Sequence, residues 1–174
     1  EGSLISCIDE TKTASGARLL KQRIIEPHYD IKLIQDKHDL TNWILQNKID
    51  INKNQTILQN IPDLERSLSR ISLSRGGPKD LLLISNGLLF VKEIYENLIS
   101  NLLKKSTPKL LELILDSINI DYKLFLNVKK ALKSEATQIL KEGGFVKDGF
   151  NKELDDLRNF RNNELNQIMN LQKQ

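Results

Sequence analysis

Cysteine occurs once in this sequence, at Cys7, and histidine twice, at His28 and His38. A single thiol excludes a disulfide framework within the chain and fits a reducing compartment such as the cytosol. A nucleophilic role for Cys7 would need a partnering His and Asp pattern, and none accompanies it; it reads as a small apolar residue. The histidines stand ten positions apart, whereas two His sharing zinc on a helix sit one turn apart. They read as polar residues near helix ends. Proline (four) and glycine (eight) are sparse, so there are few obligatory stops. Aromatics make up 5%, which leaves Leu and Ile to build the core. Strand-favouring residues other than Ile are thin. No apolar run approaches the ~20 residues of a membrane span, and no signal peptide is expected ahead of Ser3. Neither sign of charge dominates: 26 basic residues face 23 acidic ones, for a net +3. That balance does not announce a polyanion-binding surface.

What is present is helical periodicity. Leu-rich composition favours helix, and 174 residues suffice for one domain with a real core. Residues 4–9 predict a helical turn. Ser15 is the candidate cap of a helix to Ile25, ended by Pro27. Asp30 caps a helix carrying Leu33, Ile34, Leu40, Trp43, Ile44 and Leu45 at helical spacing. Residues 48–60 predict a weaker, Asn-rich helix. Pro62, at a first-turn position, and Asp63 open a short helix through Leu73.

Arg75-Gly76-Gly77-Pro78 is the clearest break. Residues 79–103 are then apolar on nearly every side, the pattern of a buried central helix. As one helix this would span roughly 37 Å; Gly87 inside it weakens the case for a continuous helix. Thr107-Pro108 opens a helix ending near Ser117. Asp121 opens another to about Leu132, extending toward Leu140. Gly143-Gly144 punctuates, 145–150 is a loop, and from Asn151 the pattern is helical to Gln174, as if cut in mid-helix. Leu154, Leu157, Phe160, Leu165, Ile168 and Leu171 line one side of that last helix, which should project with this side unfilled. The expected fold is all-α: a helical bundle with a long C-terminal helix.

Chemistry is hard to find. A phosphate loop needs several Gly followed by Lys and Ser or Thr after a strand. Gly76-Gly77-Pro78-Lys79 and Gly143-Gly144 have neither spacing nor strand. Asp63 with Glu65, and Asp155-Asp156, suit helix N-termini. Lys104-Lys105 and Lys129, Lys130 and Lys133 read as solvated faces rather than a nucleic-acid patch. Asp63, Glu65, Arg66 and Arg70 are candidates for ion pairs along a helix surface. No catalytic constellation is expected in this chain.

Three stretches carry a resemblance. The first runs from Ser3-Leu4-Ile5-Ser6 through Ile8-Asp9, Thr11, Thr13, Gly16-Ala17-Arg18-Leu19-Leu20 and Pro27. The second is Ile61-Pro62-Asp63-Leu64-Glu65-Arg66 and Ser67-Leu68-Ser69-Arg70-Ile71, with Arg75, Pro78 and Asp80-Leu81. The third is Gly143-Gly144-Phe145-Val146-Lys147-Asp148-Gly149-Phe150-Asn151, then Glu153-Leu154-Asp155 and Leu157-Arg158. In this order they resemble the lever (core) region of the MutS family of DNA mismatch repair proteins, running into the first helix of the clamp. Arg23 departs from the pattern, standing where the family often has Trp.

The resemblance implies a division into a helical lever, 1–144, and the start of a clamp, 145–174. It implies a lever coupling an ATPase domain to a DNA-embracing clamp. The parent would be a cytoplasmic, homodimeric, mismatch-binding, DNA-dependent ATPase using ATP and Mg, with duplex DNA and its own remaining domains as partners and no membrane. No cofactor is expected in this segment. Gly16, Arg18, Pro27, Asp63, Glu65, Arg66, Arg70, Pro78, Asp148 and Gly149 would be structural and interdomain signature positions. The bundle by itself also fits a helical protein-interaction scaffold unrelated to repair. A MutS paralogue acting in recombination is a further alternative, against which the clamp-like start at 145–158 argues.

Overall fold

The structure, a computed structural model, describes residues 2–46, 51–102 and 107–172. Among them the fold is all-α, as expected. The helices are α1 (Leu4–Ile8), α2 (Ala14–Ile25), α3 (Ile31–Gln46), α4 (Ile51–Gln59), α5 (Leu64–Ser72), α6 (Pro78–Leu102), α7 (Lys109–Ile118), α8 (Lys123–Ala131) and α9 (Lys152–Gln172), with a 3-10 turn at Leu140–Glu142. Lys48, Lys104, Lys105 and Gln174, named in the sequence reading, lie outside the described residues.

Caps decide where the helices begin. Asp30 Oδ1 accepts from the N–H groups of Lys32 and Leu33, as expected. Asn151 Oδ1 does the same for Leu154. At α2 the cap is Thr13, not Ser15. Thr13 is extended (φ −130°, ψ 148°) and its hydroxyl accepts from Gly16 N–H at 3.0 Å. A cap must lie outside the helical backbone region, and Ser15 is already inside it. Pro62 likewise stands before the cap of α5 rather than in its first turn, because Asp63 itself is the N-cap.

α6 is the axis. It packs most extensively against α8 and α5, and also against α4 and α7, while α3 packs on α7. Gly87 does not interrupt α6, which runs unbroken for 25 residues. Gly87 serves close approach instead: a Cβ there would sit 2.5 Å from Leu64 Cδ2 and 3.1 Å from Pro62 Cδ. The missing side chain lets the start of α5 lie directly on the axis helix.

Two apolar cores form near opposite ends of α6. Tyr95 and Leu98 join Trp43, Leu40 and Ile44 of α3 with Leu111, Leu115 and Ile118 of α7. Toward the other end, Leu82 packs with Leu132, Ala136, Val128 and Phe145. At 3.6 residues per turn, Leu82 and the Tyr95–Leu98 pair point about 190° apart. The all-round apolar pattern of α6 therefore comes from two opposed faces, each buried at a different height.

The expected extension of α8 toward Leu140 does not form. Leu132 turns extended (φ −95°, ψ 140°) and makes an antiparallel bridge with Val146. Lys133 N–H donates to Phe145 O at 2.9 Å, and Lys147 N–H to Ala131 O at 2.8 Å. These bonds compete with the helical ones and end the helix. Past the bridge, α9 shares no extensive packed face with another helix among the described residues. On the side expected to be unfilled, Leu157 and Phe160 are exposed and Leu154 is half-buried, while the side chains of Leu165, Ile168 and Leu171 lie outside the described residues.

Candidate functional site

The signature residues gather into three polar joints, each where two elements meet. The first links α2 to α5. Arg18 Nη1 and Nη2 donate to the two Asp63 oxygens, both at 2.8 Å, a bidentate fork. The same guanidinium also pairs with Glu65, and Arg66 approaches Asp63 at 3.3 Å. Asp63 meanwhile caps α5 by accepting from Arg66 N–H. The Arg18 fork holds the Asp63 carboxyl down to about 2, against the opposing effect of its burial. Gly16 lies beside this joint, where a Cβ would come within 2.8 Å of the capping Thr13 hydroxyl.

The second joint ties α5, the start of α6 and the loop after α8. Arg70 Nε donates to Asp80 Oδ1 at 2.8 Å, and its Nη2 contacts the same oxygen. Nη2 also reaches the Ser67 hydroxyl at 3.1 Å. Asp80 Oδ2 accepts from Gly77 N–H at 3.2 Å and from Gln138 Nε2 at 3.4 Å. Asp80 and Ser67 are buried. Asp80 thus supplies half of a capping box, reaching back from the third helical position to the N–H before the helix. Pro78, buried at the first helical position, lacks the N–H that would otherwise be unsatisfied there. The Arg70 guanidinium, followed by the Gly77 N–H and Gln138, keeps the Asp80 carboxyl below the usual carboxylate range despite burial.

The third joint fastens α9. Arg158 donates to Asp148 Oδ1 at 2.8 Å and to Val146 O at 3.0 Å, and lies 3.4 Å from Asp155. Gly149 (φ +81°) donates its N–H to Asp155 Oδ2 at 2.7 Å. Asp148 also faces Lys133 at 3.9 Å.

Pro27 belongs to none of these. It lines an open cavity of about 760 Å³ between α2 and α3, with Arg23, His28, Tyr29 and Lys37. Lys37 is pushed down there by burial and by the neighbouring Arg23. The ion pairs expected along one helix surface form only in part. Arg66 pairs with Asp63 three residues away, whereas Glu65 and Arg70 cross to α2 and α6. Ser67 and Gln138 were not foreseen as partners. A serine facing an arginine three residues on is a weak signal, and Gln138 comes from a loop remote in sequence.

Over residues 1–173 the sequence matches the family model MutS domain III. The chain belongs to the MutS family. It is 36% identical over 161 residues to the DNA mismatch repair protein MutS of Dinoroseobacter shibae, covering 92% of this chain and 18% of that protein. It is 34% identical to the protein of the same name from Roseobacter denitrificans, covering 99% and 19%. The corresponding figures for Bartonella henselae are 31%, 100% and 19%. The domain spans about a fifth of the length of these relatives.

ATP and Mg, which the family resemblance implies for the parent, do not fit the residues described here. The Gly76-Gly77 turn offers an N–H at a helix start, but Asp80 already accepts from it, and that carboxylate would repel a phosphate. Among the described residues no three His, Cys, Asp or Glu side chains gather as a metal site. No described helix is long and apolar enough to cross a membrane.

Proposed function

We propose that this MutS domain III is the lever of a mismatch-binding, DNA-dependent ATPase, coupling nucleotide state to the grip on DNA. In this reading 1–144 form the lever and 145–174 begin the clamp. ATP and Mg bind elsewhere in the parent, which acts as a cytoplasmic homodimer on duplex DNA. The observation that carries the reading is the unbroken α6, bound near its start by the Arg70–Asp80 joint. A helix of 25 residues held by discrete pairs transmits displacement, whereas a loose bundle absorbs it.

The test uses the full-length protein carrying Asp80→Asn. Mismatched-duplex binding without nucleotide and basal ATP hydrolysis should persist within about twofold. ATP-driven release from the mismatch should slow at least tenfold. Release at the unaltered rate, in a variant whose hydrogen exchange shows the joint opened, would count against the lever.

A further inference from the structure

We propose that Arg158 is the positioning residue that sets the direction in which α9 leaves the bundle, by gripping the carbonyl that the Leu132–Val146 bridge turns outward. The bridge is held by Lys133 N–H to Phe145 O and Lys147 N–H to Ala131 O. In an antiparallel ladder those bonds flank a facing pair whose own N–H and C=O groups point away from the partner. Val146 O is therefore presented to the side opposite Leu132. Arg158 Nη2 takes it at 3.0 Å, while Nη1 holds Asp148 at 2.8 Å.

Two attachments define a line. The first is at the base, where Gly149 N–H meets Asp155 Oδ2 at 2.7 Å. The second is Arg158, about two turns into α9 at 3.6 residues per turn. Because α9 shares no extensive packed face with another helix among the described residues, this pair replaces a packed interface. The bridge carries the grip back to the core, since Leu132 is buried beside Leu82 of α6. Lys147 Nζ adds a second tie, donating to Lys129 O at the end of α8 at 2.8 Å. Asp148 is largely exposed, so its ion pair alone would be weak. The carbonyl bond, on a side chain that is only 20% exposed, supplies the direction. The planar guanidinium gives each acceptor its own nitrogen, whereas a lysine ammonium would have to reach both from a single atom.

Spin labels at Glu93→Cys on α6 and Asn163→Cys on α9, in a Cys7→Ser background of this chain, read the angle as a distance distribution. A second pair, Ser72→Cys and Glu93→Cys, monitors the bundle itself. The unaltered joint should give one narrow peak. R158A should at least double the width with the control pair unchanged, and R158K should fall between. One narrow peak in R158A at the unaltered distance, or a distribution already broad with Arg158 present, overturns the proposal; a narrow peak at a new distance supports it. If R158A also disturbs the control pair, R158K decides: a width equal to that of the unaltered joint overturns the proposal, and a broader one supports it. The transmission of motion into α9 rests on the lever reading, and the full-length protein separates the two. A broadened distance in R158A with an unaltered response to ATP leaves Arg158 as the pin and removes the lever.

Discussion

Arg70 of α5 meets Asp80 of α6 across a joint in which the aspartate is fully buried and the arginine keeps contact with solvent. Asp80 is the only buried charged side chain among the described residues. Replacing it by Asn preserves shape and an acceptor for Gly77 but leaves the guanidinium without its counter-charge. Breaking a buried pair from one side costs about 3–5 kcal/mol. Hydration of Arg70 places Asp80→Asn near about 3 kcal/mol at the lower end of that range. A urea unfolding midpoint lowered by that free energy divided by the slope, with the slope itself unchanged, is the expected result.

Gly77 should tolerate no side chain. A Cβ there would fall 2.0 Å from Gln138 O and 2.7 Å from its carbonyl carbon. Those are backbone atoms that no rotamer change can move. Gly77→Ala should therefore displace the loop after α8, costing on the order of 1–3 kcal/mol as overpacking does. Faster hydrogen exchange at Lys79, whose N–H donates to Thr137 O at 3.3 Å, would register the displacement. Gly144→Ala meets no atom within 4 Å; its strain, at φ +73°, is confined to its own backbone, and it should leave the Lys79 amide unchanged.

The Arg18–Asp63 fork fixes a pH window. A carboxyl whose folded value is lowered stabilises the fold fully above its unfolded value, near 4, and loses that contribution as pH falls through the folded value. For Asp63 the loss runs from about pH 4 down to about 2. Carbon NMR titration should place the Asp63 carboxyl near the bottom of that window. Arg18→Ala should return it toward the ordinary range, with the Arg66 N–H bond retaining part of the shift.

Nucleotide should not bind the domain. The turn before α6 is closed by Asp80, as described above, and the Gly143-Gly144 turn leads only into the bridge. Titrating Mg-ATP into the domain by calorimetry should give no saturable heat up to millimolar concentration. A stoichiometric signal at sub-millimolar affinity would contradict this.

Helix identity was legible in the sequence because it rests on local periodicity and caps. Asp30, Asp63 and Asn151 each stand where a carboxylate or amide meets the third amide of a helix. Two local readings were off by a residue or two, Ser15 for the Thr13 cap and Pro62 inside the first turn of α5; the rest was hidden where a distant element decides. Gly87 looks like a weak point until Leu64 arrives beside it. The helical pattern past Leu132 persists in sequence, yet Phe145 and Lys147 claim its hydrogen bonds from the far side of a loop. The joints were legible as charged residues and not as pairings. Arg18 and Asp63 lie 45 residues apart, and nothing local tells Arg70 to prefer Asp80 over a neighbour on its own helix.

The two opposed apolar faces of α6 carry a mechanical consequence. Leu82 and Leu98 lie about 24 Å apart along the axis at 1.5 Å per residue. A push delivered through the Trp43 core and a reaction taken up at the Leu132 core act on opposite sides of one rod at separated heights. Such a pair of forces is a couple. It tilts the rod about a point between the two cores rather than sliding it along its length. That fulcrum falls near Gly87, where Leu64 and Pro62 bear directly on the helix backbone.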